Sequence, residues 1–332
     1  GQSRALQMMV DATLYGPEQG QELGLVHQVL DHDEFVQQVQ QAARQYCSPH
    51  MAPLAIGNIK RAVQSGCGLP LESGLALERE LQQRLFESQD AKEGIAKITS
   101  YGAAPAVVIG AAGRDIAIGP VQSTAAKFGV QIDGTIVGAG LYTGVDANGL
   151  VIGGQGGAVT VANGIGITGG VGATSRDADA TALRLGAGAS APKIQNAGGI
   201  EAKSGATANS TAIAVKVDTG AQLGTIANSG LIKATVGESG SATAILDSSG
   251  TVTLIENSGG IEASGAKADS NRNLAIDLSA NTTGATIKQT VVASGKTAPS
   301  IKGDIRLGTG SDTLDLADGT FEGDAFFGAG AN

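Results

Sequence analysis

Nucleophilic and metal-ligating side chains crowd one end of this 332-residue chain: His27, His32, His50, Cys47 and Cys67 all lie at or before residue 67, as do all three methionines. A structural zinc site needs Cys or His pairs a few residues apart. Nineteen residues separate Cys47 from Cys67 and no such pair flanks them, so two free thiols packed in or beside helices are expected, and no metal. Farther along, the segment "GTGSDTLDL" (308–316) sets Gly308, Gly310, Asp312 and Leu314 in the G-x-G-x-D-x-apolar order of a calcium nonapeptide. That pattern repeats about every nine residues, and the nearest echo, "GAGAN", begins only at Gly328. A plain turn is therefore expected there. "GGQGGA" (153–158) lacks the lysine and the following helix of a phosphate loop. Glu78, Glu80, Asp90 and Glu93 alternate with Arg79, Arg84, Lys92 and Lys97, which reads as a solvated, salt-bridged helix face. Beyond residue 100 no compact acidic cluster suggests a glycosidase pair.

The elements that must carry these residues change character near residue 100. Only 9 of the 51 glycines precede that point. Before it, Asp31 is a plausible N-cap with Glu34 three positions on, and Phe35, Val36, Val39, Ala42, Ala43 and Tyr46 recur at helical spacing. A second helix follows Pro53, with Ile56, Ile59, Ala62 and Val63 as its buried stripe and Gly66 and Gly68 as its stop. A third runs from about Pro70 to Ser88 and is expected to bury Leu71, Leu75, Leu77, Leu81 and Leu85. "LGLVHQVL" (23–30) reads as a short apolar strand or extended connector.

The segments "SRALQMMV" (3–10), "ELGLVHQVL" (22–30), "APLAIGNIKRAVQSG" (52–66) and "LERELQQRLFESQDAKEGI" (77–95), in that order, resemble the C-terminal portion of the crotonase family, the enoyl-CoA hydratases and isomerases. The likeness covers about residues 1–97. It implies that the family's oxyanion-hole loop and catalytic carboxylates come ahead of Gly1, so catalysis is not expected from these residues and no catalytic residue is assigned. It also implies that Phe86 matches an aromatic position near the coenzyme A adenine in some members. Lys60, beside Arg61, could meet a phosphate. Read as residues alone, Phe86 is a core anchor next to Leu85, and Lys60 and Arg61 are surface groups.

The rest of the chain repeats. "NAGGIEA" at Asn196, "NSGLIKA" at Asn228 and "NSGGIEA" at Asn257 superpose, with "NGIGITG" at Asn163 as a looser forerunner. A second track runs through Leu183, Ile213, Ile245 and Ile276, and a third through Ile194, Ile226, Ile255 and Ile287. Three short alternating strands per repeat of about 31 residues describe one coil of a three-sided solenoid. Asn before a small residue suits a left-handed turn, and stacked Asn amides could form a hydrogen-bonded ladder along the axis. The expected fold class is mainly β: a parallel β-helix over 111–332, preceded by an α-helical segment (1–97) and a junction (98–110).

"VQIDGTIVGAGLYTGVDANGLVIGGQGGAVTVANGIGITG" (130–169), "ATALRLGAGASAPKIQNAG" (180–198) and "APSIKGDIRLGTGSDTLDLADGTFEGDAFFGAGAN" (298–332) resemble the passenger region of a bacterial autotransporter. That resemblance implies a right-handed parallel β-helix at the cell surface, a host or cell-surface ligand, and a membrane β-barrel farther along. No apolar run approaches the roughly 18 residues of a spanning helix. Both parts are mildly acidic, with 8 basic against 12 acidic residues up to position 100 and 14 against 19 beyond, which argues against nucleic acid as a partner. The preferred reading is a non-catalytic structural or adhesive solenoid fused to a crotonase remnant, with no cofactor. The alternative is a fragment of an acyl-CoA hydratase or isomerase, whose substrate would be a coenzyme A thioester and whose compartment would be the cytoplasm.

Overall fold

The structure, a computed structural model, describes residues 2–12, 14–30, 33, 35–44, 53–66, 68–87, 97–122, 126–205 and 209–332. The chain divides into two compact units, residues 1–93 and 94–332.

The first unit is helical: α1 (Gln2–Asp11), α2 (Pro17–Glu22), α3 (Phe35–Arg44), α4 (Pro53–Gly66) and α5 (Leu71–Glu87). The last three match the helices expected from sequence periodicity. The first two have weaker local signals: α2 is a short helix opened by Pro17 at its first turn, with the Gln19 side chain accepting from the Gly16 N–H at 3.2 Å. Residues 23–27 turn and 28–30 are irregular, so of the two expectations the segment is a connector and not a strand, its Leu25 and Val26 N–H groups folding back onto the Gly20 carbonyl. The expected cap pair Asp31 and Glu34, together with Tyr46, Cys47 and Cys67, lies outside the described residues. Helices α4 and α5 pack on each other around Leu81, which is 3% exposed, and the Asn58 amide donates to the Leu81 carbonyl at 3.3 Å. Most of the stripe expected to be buried is not: Phe35, Ile59, Val63 and Leu71 are exposed. An amphipathic helix buries its stripe only against a second layer, and Leu81 alone reaches full burial among the described apolar residues of these helices.

The second unit is a parallel β-solenoid. One central coil runs through Ala180–Leu185, Ala189–Asn196 and Gly199–Ser204, each strand belonging to a different sheet. Among the described residues, the sheet that contains Gly199–Ser204 has eight strands, from Lys97–Tyr101 to Thr320–Glu322. The sheet that contains Ala180–Leu185 also has eight, from Val107–Ile109 to Ala325–Phe326. The third sheet runs from Ile116–Ile118 to Thr313–Leu316, with Val130–Ile132 and Ile165–Ile167 alongside. Among the described residues the coils start at Lys97, which pairs with Thr135, and the stretch 98–110, expected as a junction, carries strand pairing at Ile98–Tyr101 and Val107–Ile109. Lys97 accordingly sits in a strand and not on the charged helix face expected for it.

Packing explains the repeat. The third track is in register as expected: Ile194, Ile226, Ile255 and Ile287 are direct neighbours and fully buried. The second track slips by two at one rung, where Leu183 stacks on Val215 and not on Ile213, then on Ile245 and Ile276. At this point the ladder pairing skips one small residue in each strand, Gly149, Ala182, Ala214, Ala244 and Ala275, which breaks the in-out alternation. "TAIAV" (211–215) carries alanines at both 212 and 214, so its pattern fits two registers, and the pairing that skips Ala214 is the one adopted. The Asn163 forerunner is likewise displaced. Ile167 pairs with Asn196, so "ITGGVGA" (167–173) is the true counterpart of "NAGGIEA".

Candidate functional site

Asparagine ends three successive strands of the third sheet, at Asn196, Asn228 and Asn257. Asn196 donates from Nδ2 to Asn228 Oδ1 at 2.8 Å, Asn228 to Asn257 Oδ1 at 2.9 Å, and Asn257 to Gln289 Oε1 at 3.2 Å. All four amides are at most 2% exposed. Each asparagine amide also serves the glycine carbonyl two residues on, as from Asn228 Nδ2 to the Gly230 carbonyl at 3.2 Å. The ladder expected from sequence is present, and it consumes these amides, leaving none to meet a ligand. Beside it Gly198, Gly230 and Gly259 stack so closely that a Cβ on any of them would strike the backbone of the preceding coil. That close approach explains the Gly two residues after each Asn.

The outward face of the sheet that contains Gly199–Ser204 carries a second column. Glu201, Lys233, Glu262, Lys302 and Glu322 follow one another rung by rung, alternating in sign. Lys233 Nζ lies 3.0 Å from Glu262 Oε2, and Lys302 Nζ lies 3.8 Å from Glu322 Oε2. Burial, the largest influence on Glu262, raises its pKa. The hydrogen bonds from Lys233 and Ser264 and the charges of Lys233 and Lys302 outweigh it together and hold the carboxyl below its ordinary range. Asp133 is also held low, by the Thr168 hydroxyl and then the Gln131 amide, with burial opposing them.

A polar groove of about 600 Å³ opens beside this column, lined by Asp269, Asn271, Lys302, Asp304, Glu322 and Asp324. Its turn is clamped by Asn273, which accepts from the Ala266 N–H and donates to the Ala266 carbonyl, both at 3.0 Å. Arg272 and Arg306 hold neighbouring carbonyls at 3.0 Å. Sequence reading missed this gathering of carboxylates because Asp269 is far from the others along the chain. The signal that would have found the remainder is the match of "IKGD" (301–304) to "FEGD" (321–324). Asp304 and Asp324 are tied together, the Asp324 N–H donating to Asp304 Oδ1 at 3.1 Å.

In the helical unit, Lys60 and Arg61 are exposed on α4. Phe86 lies in α5, but its side chain is outside the described residues, as are Asp90, Lys92 and Glu93. Glu80 and Arg84 form an exposed pair at 2.6 Å, one helical turn apart, as expected of a solvated face. A cavity of about 570 Å³ between α4 and α5 is lined mostly by apolar groups, among them Ile59, Ala62, Val63, Leu75 and Leu81. Among the described residues no three His, Cys, Asp or Glu side chains converge as metal ligands, and no helix is long and apolar enough to cross a membrane.

The enoyl-CoA hydratase/isomerase family model matches residues 1–100. A short-chain-enoyl-CoA hydratase of Clostridioides difficile is 26% identical over 95 residues, which is 29% of this chain and 60% of that protein. A 1,2-epoxyphenylacetyl-CoA isomerase of Escherichia coli K12 is 30% identical over 95 residues, 29% of this chain and 36% of that protein. The chain thus spans less than two thirds of either relative's length. No solved structure matches the chain. Over residues 1–100 the chain is therefore similar to the enoyl-CoA hydratases and isomerases, and from Lys97 onward it is a parallel β-solenoid.

Proposed function

We propose that this chain acts as a non-catalytic structural or adhesive solenoid of autotransporter-passenger type, displayed at a cell surface, with the crotonase-like helices as an appended segment. The observation that carries this reading is where the solenoid spends its polar groups. The Asn ladder and the Glu/Lys column both run along the axis and satisfy one another from coil to coil. Such columns rigidify a long repetitive surface, which suits display and multivalent contact. On this reading the partner is a host or cell-surface ligand of the solenoid flanks, with a membrane β-barrel in the full-length protein, and no cofactor takes part. The experiment is limited proteolysis of the intact chain with mass readout, followed by titration with coenzyme A. Loss of residues 1 to about 95 from a resistant solenoid, with no coenzyme A binding, is the expected result.

A second reading is favoured by one observation, the match of residues 1–100 to the enoyl-CoA hydratase/isomerase family. Under it the helices belong to an enzyme acting on acyl-CoA thioesters in the cytoplasm, with Lys60 and Phe86 as coenzyme A contacts. Saturable binding of coenzyme A that weakens on Lys60→Ala and Phe86→Ala would establish it and overturn the first.

A further inference from the structure

The turn 308–312 departs from the self-satisfying pattern of the other columns. Asp312 is 2% exposed, and its Oδ1 accepts from the Ala285 N–H at 2.8 Å. Its Oδ2 is also buried yet has no hydrogen-bond partner, and none of the ion pairs among the described residues involves it. A carboxylate oxygen buried without donor or counter-charge is costly, so something must compensate it: a proton, a water or a cation.

Sequence spacing argued against the cation, because the echo "GAGAN" lies twenty residues on rather than about nine. The structure removes that objection. At this end of the solenoid one coil takes 20 residues: Ser300 pairs with Thr320, Ile305 with Ala325, and the Asp312 N–H donates to Asn332 Oδ1 at 2.9 Å. Gly328 and Gly330 therefore sit directly over Gly308 and Gly310, so close that a Cβ on either would meet the Gly308 or Gly310 carbonyl oxygen. Two glycine turns are stacked one coil apart, each followed by Asp or Asn at the same place, and Asn332 Oδ1 is held at the Asp312 backbone N–H, so the unsatisfied oxygen belongs to a turn whose neighbours offer carbonyl and amide oxygens. Oxygen-only donors of this kind suit a hard divalent cation, and a flexible, carbonyl-rich shell suits Ca²⁺ over Mg²⁺.

We propose that the stacked turns 308–312 and 328–332 bind one Ca²⁺, with Asp312 Oδ2 as the anionic ligand and glycine-turn carbonyls completing the shell. The site lies outside the carboxylate groove and does not depend on the function proposed above. The test is calorimetric titration of the EDTA-stripped full chain with CaCl₂, with thermal denaturation in parallel. One binding event with Kd of about 10⁻⁴–10⁻³ M, the class of extracellular calcium modules, and a rise in Tm with Ca²⁺ are expected. Asp312→Asn, which retains the oxygen bonded to Ala285, should weaken binding at least tenfold, whereas Asp304→Asn and Asp324→Asn should leave it intact. No heat and no Tm change in the unaltered chain up to about 10 mM Ca²⁺, well above that class of affinity, would overturn the proposal. So would binding that survives Asp312→Asn but is lost with the groove variants. Should Asp312→Asn fail to fold, displacement of Tb³⁺ luminescence by Ca²⁺ in the Asp304→Asn/Asp324→Asn chain, which keeps Asp312, decides the matter: retained displacement supports the site and its loss overturns it.

Discussion

A single buried amide can hold several coils together because each one serves two neighbours. Asn228 accepts from Asn196 and donates to Asn257, and its amide also reaches the Gly230 and Gly260 carbonyls. Asn228→Ala therefore removes these four side-chain hydrogen bonds at once, each worth about 0.5–1.5 kcal/mol net, although Asn196 keeps the Gly198 and Leu231 carbonyls and Asn257 keeps the Gly259 N–H. The expected loss in urea denaturation is about 3 kcal/mol, against a small change for Ser229→Ala at the neighbouring position. Glu262 adds a pH dependence whose sign follows from its environment. Its folded pKa is depressed, so the stability it contributes is present above its unfolded value and is lost as pH falls through the lower folded value. Denaturation midpoints measured from neutral pH down through the carboxylate range should fall for the unaltered chain, and Glu262→Gln should remove part of that slope. An unchanged slope would mean that the Lys233 pair contributes nothing beyond its surroundings.

Strand and turn spacing decide which glycines are indispensable. Gly230 follows the Asn ladder at the place where the preceding coil's backbone leaves no room for a side chain, while Gly172, in the strand Gly170–Ser175, would meet nothing closer than 3.7 Å. Gly230→Ala should cost about 3 kcal/mol, at the upper end of overpacking. Gly172→Ala should be neutral or mildly stabilising because it restricts the unfolded chain. The contrast is measurable by chemical denaturation of the two variants side by side. The same reasoning shows how much of the fold could be read from sequence. Ile194, Ile226, Ile255 and Ile287 gave their register directly, since each is the single Ile of its strand and stands two residues ahead of an Asn or Gln. The Leu183 track slipped at "TAIAV" because the ladder pairing skips Ala214, and the two alanines flanking Ile213 look alike in sequence. Helices α4 and α5 were legible from their proline, glycine and periodic leucines, but burial of their stripes was not, because burial depends on a covering layer that periodicity does not report. The carboxylate groove and the stacking of Gly328 on Gly308 stayed hidden for a related reason. Both depend on the coil shortening to 20 residues, a change visible only once "IKGD" and "FEGD" are known to be neighbours.

At the scale of the whole molecule the solenoid is a one-dimensional stack, so stability is a sum of coils and their interfaces and opening propagates from coils that have fewer buried contacts. Burial is not uniform along it. Ile194, Ile226, Ile255 and Ile287 are fully buried in the third sheet, whereas Leu314, which continues the same column, is only partly so, as are Phe321 and Ala325 in their own sheets. Ile226→Ala opens a cavity between two complete coils and should cost about 2–5 kcal/mol. Leu314→Ala, from a partly buried position, should cost less, and the two values come from the same denaturation series. Amide hydrogen exchange gives the complementary picture: residues 194–263 should exchange slowest, and residues 313–326 fastest among the strands of the solenoid's later coils. Calcium links this gradient to the inferred site, for if Asp312 binds the ion, protection of 313–316 should rise with Ca²⁺ while that of 222–228 stays unchanged. A uniform rise along the axis would instead mark the ion's effect as a general one on the acidic chain, because a ligand held in one turn stabilises first the coils that turn joins.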